Sequence, residues 1–505
     1  MSIRGAGRSW GNKVRDRRFA SEKWTSLRQR RIARVDDRIS TVFSAVKIES
    51  SSIWRDIPEA AFRQHLVDLE KQCNAVPIAS EVFTSSSWTH VSSQHKLSVE
   101  EEQQTADDFA FLVAVNEGAQ SVSAVCIEEN TILSEGLTLR IAALDTTLGD
   151  DVTQALKSIC GHLTKIANKT TQTPEDVEEV FQDIVALHQY RLKGYMRSCK
   201  WTKPKHLALS HKKPLWKDFP SLLHRAQHLY TKKEKQMRQQ MESSISSLAL
   251  LYTMYEQHEG DEIMQLKHLV RATYHFCINH STKDFVERLL NSVGATPTSQ
   301  VQAAINQYRQ LEKIAAYYRI ATFLARIAVK HSSLFKSGIA IDYLKPYEST
   351  PTTIAHESWA HTCHVHAEVQ LAVHYDLQSS SAETLRPRCI GTSKWLCFLC
   401  YSFLEAHGRF FPSKTHGKLY DQWTIPDLVE FDDETVARYR DVIARIDSRV
   451  LELDGHVFWR PEPLTSRQDF ALIHKDDGLV TGGLNTGLSK LALSDSVEPT
   501  KEMAM

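Results

Sequence analysis

The chain has 505 residues, 42% hydrophobic and 24% charged, with 61 Lys+Arg against 61 Asp+Glu. This length exceeds one ordinary core and predicts two or three domains. Balanced charge excludes a chain drawn as a whole to polyanions, the composition excludes collagen-like, coiled-coil and fully disordered chains, and no apolar run approaches the ~18 residues of a membrane span, which excludes a channel or transporter. The nine cysteines are scattered and odd in number, which argues against a disulfide framework. No secretory signal is apparent, so the expected location is a reducing intracellular compartment, cytoplasmic or nuclear, and not secreted.

Residues 1–50 read as a basic N-terminal arm, densest at Arg28-Gln29-Arg30-Arg31. A nuclear-import patch, a nucleic-acid arm or a transit peptide competes there with a plain solvated tail. Residues 51–104 read as a short helix followed by a linker. The helix lies within 55–73, with Phe62, Leu66 and Leu69 on one face. The linker, over 79–107, is rich in Ser, Thr, Gln and Glu. Residues 105–335 read as mainly helical with a β-hairpin near 121–142, built from Ser121–Glu128 and Leu137–Ala142. Thr173 and Pro174 mark a helix start, and long helices are expected over 262–293 and 298–335.

Residues 336–475 change character. Strands are expected at Ile339–Tyr343, Arg388–Ile390 and Phe410-Phe411. Helices are expected over 366–376, from Cys397 to just before Gly408, and over 433–453. The Gly/Ser/Thr-rich residues 476–505 read as a disordered tail. The mixture of strands and helices gives an α/β fold class.

The chemistry concentrates in this last region. His366-Ala367-Glu368 and, 31 residues on, Cys397-Phe398-Leu399-Cys400 each open a helix-like run. An HxE triplet alone carries little information, and a CxxC pair carries more; together they make a zinc-ligand set. Two thiolates in a tight turn at a helix N-terminus converge on one ion, and that helix end stabilises negative sulfur. One imidazole completes three protein ligands and leaves a fourth position for water. A Glu two residues past the His can lean over that position and carry protons without binding metal.

These residues resemble the H-x-E…C-x-x-C signature of the zinc-dependent nucleoside, nucleotide and nucleic-acid deaminase superfamily, whose fold is cytidine deaminase-like. The context Gly391-Thr392-Ser393-Lys394-Trp395-Leu396 resembles an uncharacterised branch common in fungi and some intracellular bacteria. The resemblance spans about 336–420. It implies zinc as cofactor, His366, Cys397 and Cys400 as its ligands, and Glu368 as proton shuttle. The implied reaction is hydrolytic deamination of a base in a nucleotide or nucleic acid. The implied fold is a three-layer α/β/α catalytic domain over 336–475. The helical region either precedes this domain or is inserted in it. Leu396 stands where the common signature has Pro. At the strand end where many members hold the base with an Asn, this chain has Leu144 or Asp145.

A non-catalytic zinc-stabilised module that binds nucleic acid or protein is the alternative. It requires a fourth ligand, for which His361, His364, Cys363 and Cys389 are near in sequence, and it gives Glu368 no task. His364, Lys394 and Trp395 are candidate substrate contacts. Residues 191–238 carry 14 Lys/Arg against Asp218 and Glu234, interleaved with aromatics. They are either a nucleic-acid surface, with Lys232, Lys233 and Lys235 as its contacts, or a solvated face whose aromatics anchor it.

Overall fold

The computed structural model describes residues 52–85, 94–116, 121–130, 136–144, 149–204, 213–292, 298–378 and 384–453. The basic arm and the tail from 476 onward lie outside the described residues.

Helix α1 (Glu59–Cys73) forms where the apolar spacing predicts, burying Phe62, Leu66 and Leu69. The linker expected over 79–107 is corrected in its second half. Val99–Val113 is a 15-residue helix, α2, which buries Glu102, Gln103, Thr105, Asp107 and Asp108 along with its apolar residues. Its start carries a capping box. Ser98 accepts from Glu101 N at 3.2 Å and donates its own N–H to Glu101 at 3.1 Å, satisfying two otherwise orphaned donors. The segment is polar because its polar groups are paired inside the protein. Arg319 makes a bidentate ion pair with Asp108 (2.9 Å for the Nη1 contact), and both are buried.

The hairpin is present as β1 (Ser123–Asn130) and β2 (Leu137–Ala143), paired antiparallel. The chain then leaves the sheet for the helices α3 (Asp150–Ala167), α4 (Pro174–Leu187), α5 (Gln189–Met196), α6 (Phe219–Leu229), α7 (Lys235–Gln257), α8 (Glu262–Ile278), α9 (His280–Asn291) and α10 (Ser299–Lys330). Thr173 caps α4 with Pro174 at its first position. The helix expected over 262–293 is two, because Asn279 adopts an extended conformation and caps α9. Helix α10 is buried on nearly all sides, as expected of a helix at the centre of a helical layer.

The chain returns as β3 (Ile339–Tyr343), which lies parallel to β2 with Leu137 opposite Ile339. Parallel neighbours need a crossover connection, and the whole helical region supplies it. The expected boundary at 336 therefore falls inside one sheet. Helix α11 (Ala367–Leu377) follows, then β4 (Thr384–Leu385) and β5 (Gly391–Thr392), which pair antiparallel with opposite ends of β1. Helices α12 (Phe398–His407) and α13 (Asp433–Glu452) complete the labelled elements. The strands expected at 388–390 and 410–411 reduce to a single bridge between Cys389 and Phe411.

Alternation along the strands puts helices on both faces of the sheet. Val125, Ile127, Leu139 and Ile141 join the core of α2, α3 and α10. Ala124, Cys126 and Ala142 join the core of α11, α12 and α13. Helix α2 approaches β5 so closely that a Cβ on Gly391 would stand 2.1 Å from the Ala106 carbonyl carbon.

Two substitutions test this frame. Asp108→Ala leaves a buried guanidinium without its partner and should cost ~3–5 kcal/mol. Gly391→Ala forces α2 and β5 apart and should cost ~1–3 kcal/mol. Both should lower the melting temperature, whereas exposed Lys232→Ala should be nearly neutral; equal melting of all three proteins would contradict the described packing.

Candidate active site

Two helix N-termini meet at this site. His366 is the N-cap residue of α11, in extended conformation at φ −63°, ψ 152°. Cys397 is the N-cap of α12, and its Sγ accepts from Cys400 N at 3.3 Å. Gln370, one turn into α11, donates to Ala143 O at 3.0 Å and Val365 O at 2.9 Å, pinning that helix to the end of β2. The opposite lead-in is held as firmly. Ser393 N donates to Ser123 O at 3.0 Å, Leu396 N to Lys414 O at 3.2 Å, and Phe398 N to Lys418 O at 2.9 Å. Leu396 thus sits in a bridged strand-like segment, next to Thr415.

His366 Nδ1 lies 3.7 Å from Cys397 Sγ and 3.4 Å from Cys400 Sγ. One nitrogen and two sulfurs fall within 4.8 Å of one another. Zinc bonds of about 2.0 Å to nitrogen and 2.3 Å to sulfur at a tetrahedral angle place those atoms about 3.5 Å apart. The donor set therefore fits zinc without rearrangement. Among the described residues no other His, Cys, Asp or Glu belongs to this cluster. Cys389 Sγ instead faces Val99 O at 3.5 Å. His364 is tied by its backbone to Gln422 and Thr424, at 2.7 and 3.0 Å.

Burial opposes ionisation of both thiols. At Cys397 the hydrogen bond from Cys400 and the charge of His366 overcome it, holding this thiol well below its usual range. Cys400, buried beside that thiolate, is pushed well above. Glu368 lies in the first turn of α11, 4% exposed. Its Oε2 is 3.5 Å from Cys400 Sγ, yet it is not one of the three converging groups. Burial raises its carboxyl above the ordinary range, against the opposing charge of His366.

Lys394 and Trp395 are half-buried, immediately before Leu396. Lys232 and Lys233 occupy an exposed turn leading into α7, which exposed Lys235 opens. Four of the five aromatics interleaved with that basic stretch are anchors: Phe219 and Tyr230 are buried in the helical core, and Tyr195 and Trp216 pack against it, while Trp201 lies beside Tyr190. Some of the charges there are paired, as in Lys193–Glu262 and Arg197–Asp218.

Two site residues escaped the sequence reading, His416 and Tyr420. The Tyr420 ring lies 6.4 Å from that of His366 and 6.1 Å from that of His416. His416 is buried, its backbone N–H bonded to Leu396 O at 3.0 Å. Burial lowers its pKa to about 4. Neither residue belongs to a recognisable spacing; they reach the site through the pairing of 414–418 with the segment before Cys397.

Residues 365–427 match the model of a family described as OTT_1508-like deaminase. That span contains His366, Glu368, Cys397 and Cys400, together with His416 and Tyr420. No curated protein and no solved structure matches the chain. Among the described residues no helix is long and apolar enough to cross a membrane.

Cys397→Ser and Cys400→Ser should each abolish stoichiometric zinc binding, measured by native mass spectrometry after dialysis, because a neutral hydroxyl replaces a thiolate. Cys389→Ser, at a cysteine outside the cluster, should retain one zinc per chain. Zinc retained by both CxxC variants would contradict the assigned ligand set.

Proposed function

We propose that the chain is a zinc-dependent hydrolytic deaminase acting on the base of a nucleotide or nucleic acid. The observation that carries this reading is the convergence of three ligand atoms, without a fourth among the described residues, beside a buried carboxylate. His366 Nδ1 and the sulfurs of Cys397 and Cys400 would hold the metal. Zinc in such a three-ligand set supplies a Lewis-acidic open position at which water becomes a nucleophile near neutral pH. Glu368 has the place and the environment of a proton carrier. It takes a proton as water adds to the amino-bearing carbon and delivers it to the departing nitrogen, so that ammonia leaves and a carbonyl remains. Its raised carboxyl favours holding that proton between the two transfers. The match of 365–427 to a deaminase family supports the same reaction class.

The alternative, a zinc-stabilised binding module, requires a closed site. His361, His364, Cys363 and Cys389 all stand outside the cluster, and burying an acid at Glu368 would be an unexplained cost.

Zinc-loaded protein should release ammonia from at least one member of a panel of nucleosides, nucleotides and single-stranded oligonucleotides carrying cytosine, adenine or guanine. Glu368→Gln keeps size but loses the proton carrier. It should lower kcat by ~10²–10⁴-fold, with zinc content and melting temperature nearly unchanged. A Glu368→Gln protein with wild-type turnover would remove the proposed role.

A further inference from the structure

The buried turn His416-Gly417-Lys418 is tightly built. Gly417 adopts φ +73°, and a Cβ there would stand 2.0 Å from Ile78 O. Only glycine fits this conformation against that carbonyl. Thr415 Oγ1 donates to Leu396 O at 2.9 Å and accepts from Gly417 N at 3.1 Å. His416 N is bonded to the same Leu396 carbonyl. The turn is thus fastened on one side to residues 78–79 and on the other to the residue before Cys397.

Inside this turn, Lys418 N donates to His416 Nδ1 at 3.0 Å. Nδ1 must therefore carry the lone pair, and the ring proton sits on Nε2. The imidazole is 4% exposed. Among the described residues Nε2–H has no hydrogen-bond partner, and it is not one of the atoms sealed from solvent without one, so it opens to solvent. The ring stands edge-on to Tyr420, at an interplanar angle of 85°, and close enough to Cys397 for that sulfur's charge to act on it. A ring held in place and fixed in one tautomer presents its donor to a ligand acceptor without reorganisation. His416 is not a fourth metal ligand here, since it stands outside the three-atom cluster.

We propose that His416 is a substrate-contacting residue whose Nε2–H donates to a lone pair of the aminated base, a carbonyl oxygen or a ring nitrogen, beside the metal position. This rests on the deaminase reading and deepens it. The fixed donor is selective for bases that turn an acceptor edge, and not a donor edge, toward Tyr420 and His416.

The test compares two substitutions that divide the imidazole between them. His416→Asn keeps an acceptor for Lys418 N near Nδ1 and removes the donor at Nε2. His416→Gln places an amide donor near Nε2. Each is made in zinc-loaded Glu368→Gln protein. Binding is measured by calorimetry against the cytosine, adenine and guanine nucleotides, using the one that Glu368→Gln protein binds best. His416→Asn should weaken binding by about 2- to 13-fold, the range for one lost neutral hydrogen bond, with zinc content and melting unchanged. His416→Gln should recover part of that loss. Unchanged binding in His416→Asn, or loss of zinc or of folding in both variants, would overturn the proposal while leaving the deaminase reading intact. If wild-type protein releases no ammonia from any compound and binds none, both fall together.

Discussion

The segment that delivers Cys397 has little regular structure of its own, and its position depends on carboxylates buried in α2. Glu102 accepts from Arg388 N at 2.6 Å and Cys389 N at 3.0 Å, and pairs with the Arg388 guanidinium at 2.7 Å. Asp107 accepts from Thr392 N at 2.7 Å and from Lys414 Nζ at 2.6 Å. Backbone donors that would otherwise be orphaned in the interior are thereby satisfied by charged acceptors, the stronger kind of hydrogen bond. Two turns of one helix hold both the strand before the CxxC turn and the strand after it. Asp108, next along, ties the same helix to α10 through Arg319. Helix α2 thus joins the helical layer to the site.

Electrostatics at the site follow from the same economy of backbone. His366 and Cys397 are both N-caps, so two helix N-termini direct their partial positive charge to one small volume. That arrangement offsets part of the cost of burying a thiolate and a carboxylate together. It also explains why the ligand spacing is short within each motif: each set of functional groups lies within one helical turn. The cores behind the helices keep the geometry. Asp376 at the end of α11 accepts from His407 of α12 at 2.9 Å and pairs with Arg438 of α13 at 3.1 Å, locking the three helices at the ends opposite the site.

The parts legible in the sequence are those governed by local rules. The hairpin, the Thr173 cap, the stop before Gly408 and the two metal-ligand motifs each depend on residues within a few positions of one another. The illegible parts depend on partners far along the chain. Helix α2 looks like a polar linker until Arg388, Lys414 and Arg319 are brought to it from the distant C-terminal half of the chain. The parallel pairing of β2 with β3 spans the entire helical region, so the hairpin and Ile339–Tyr343 belong to one sheet. His416 carries no motif; only the bridging of 415 to 396 reveals it. The aromatic residues of the basic stretch, open in the sequence to a stacking surface or an anchoring role, show a related case: Phe219 and Tyr230 lie in the helical core and Tyr195 and Trp216 pack against it.

The central claim is a zinc ion with one imidazole, two thiolates and one position left for water. Zinc K-edge X-ray absorption on the zinc-loaded chain counts these directly. The account predicts two sulfurs at ~2.3 Å and two light atoms at ~2.0 Å, of which one gives imidazole scattering. Three or more sulfurs, or two imidazoles, would mean a closed site and would contradict it.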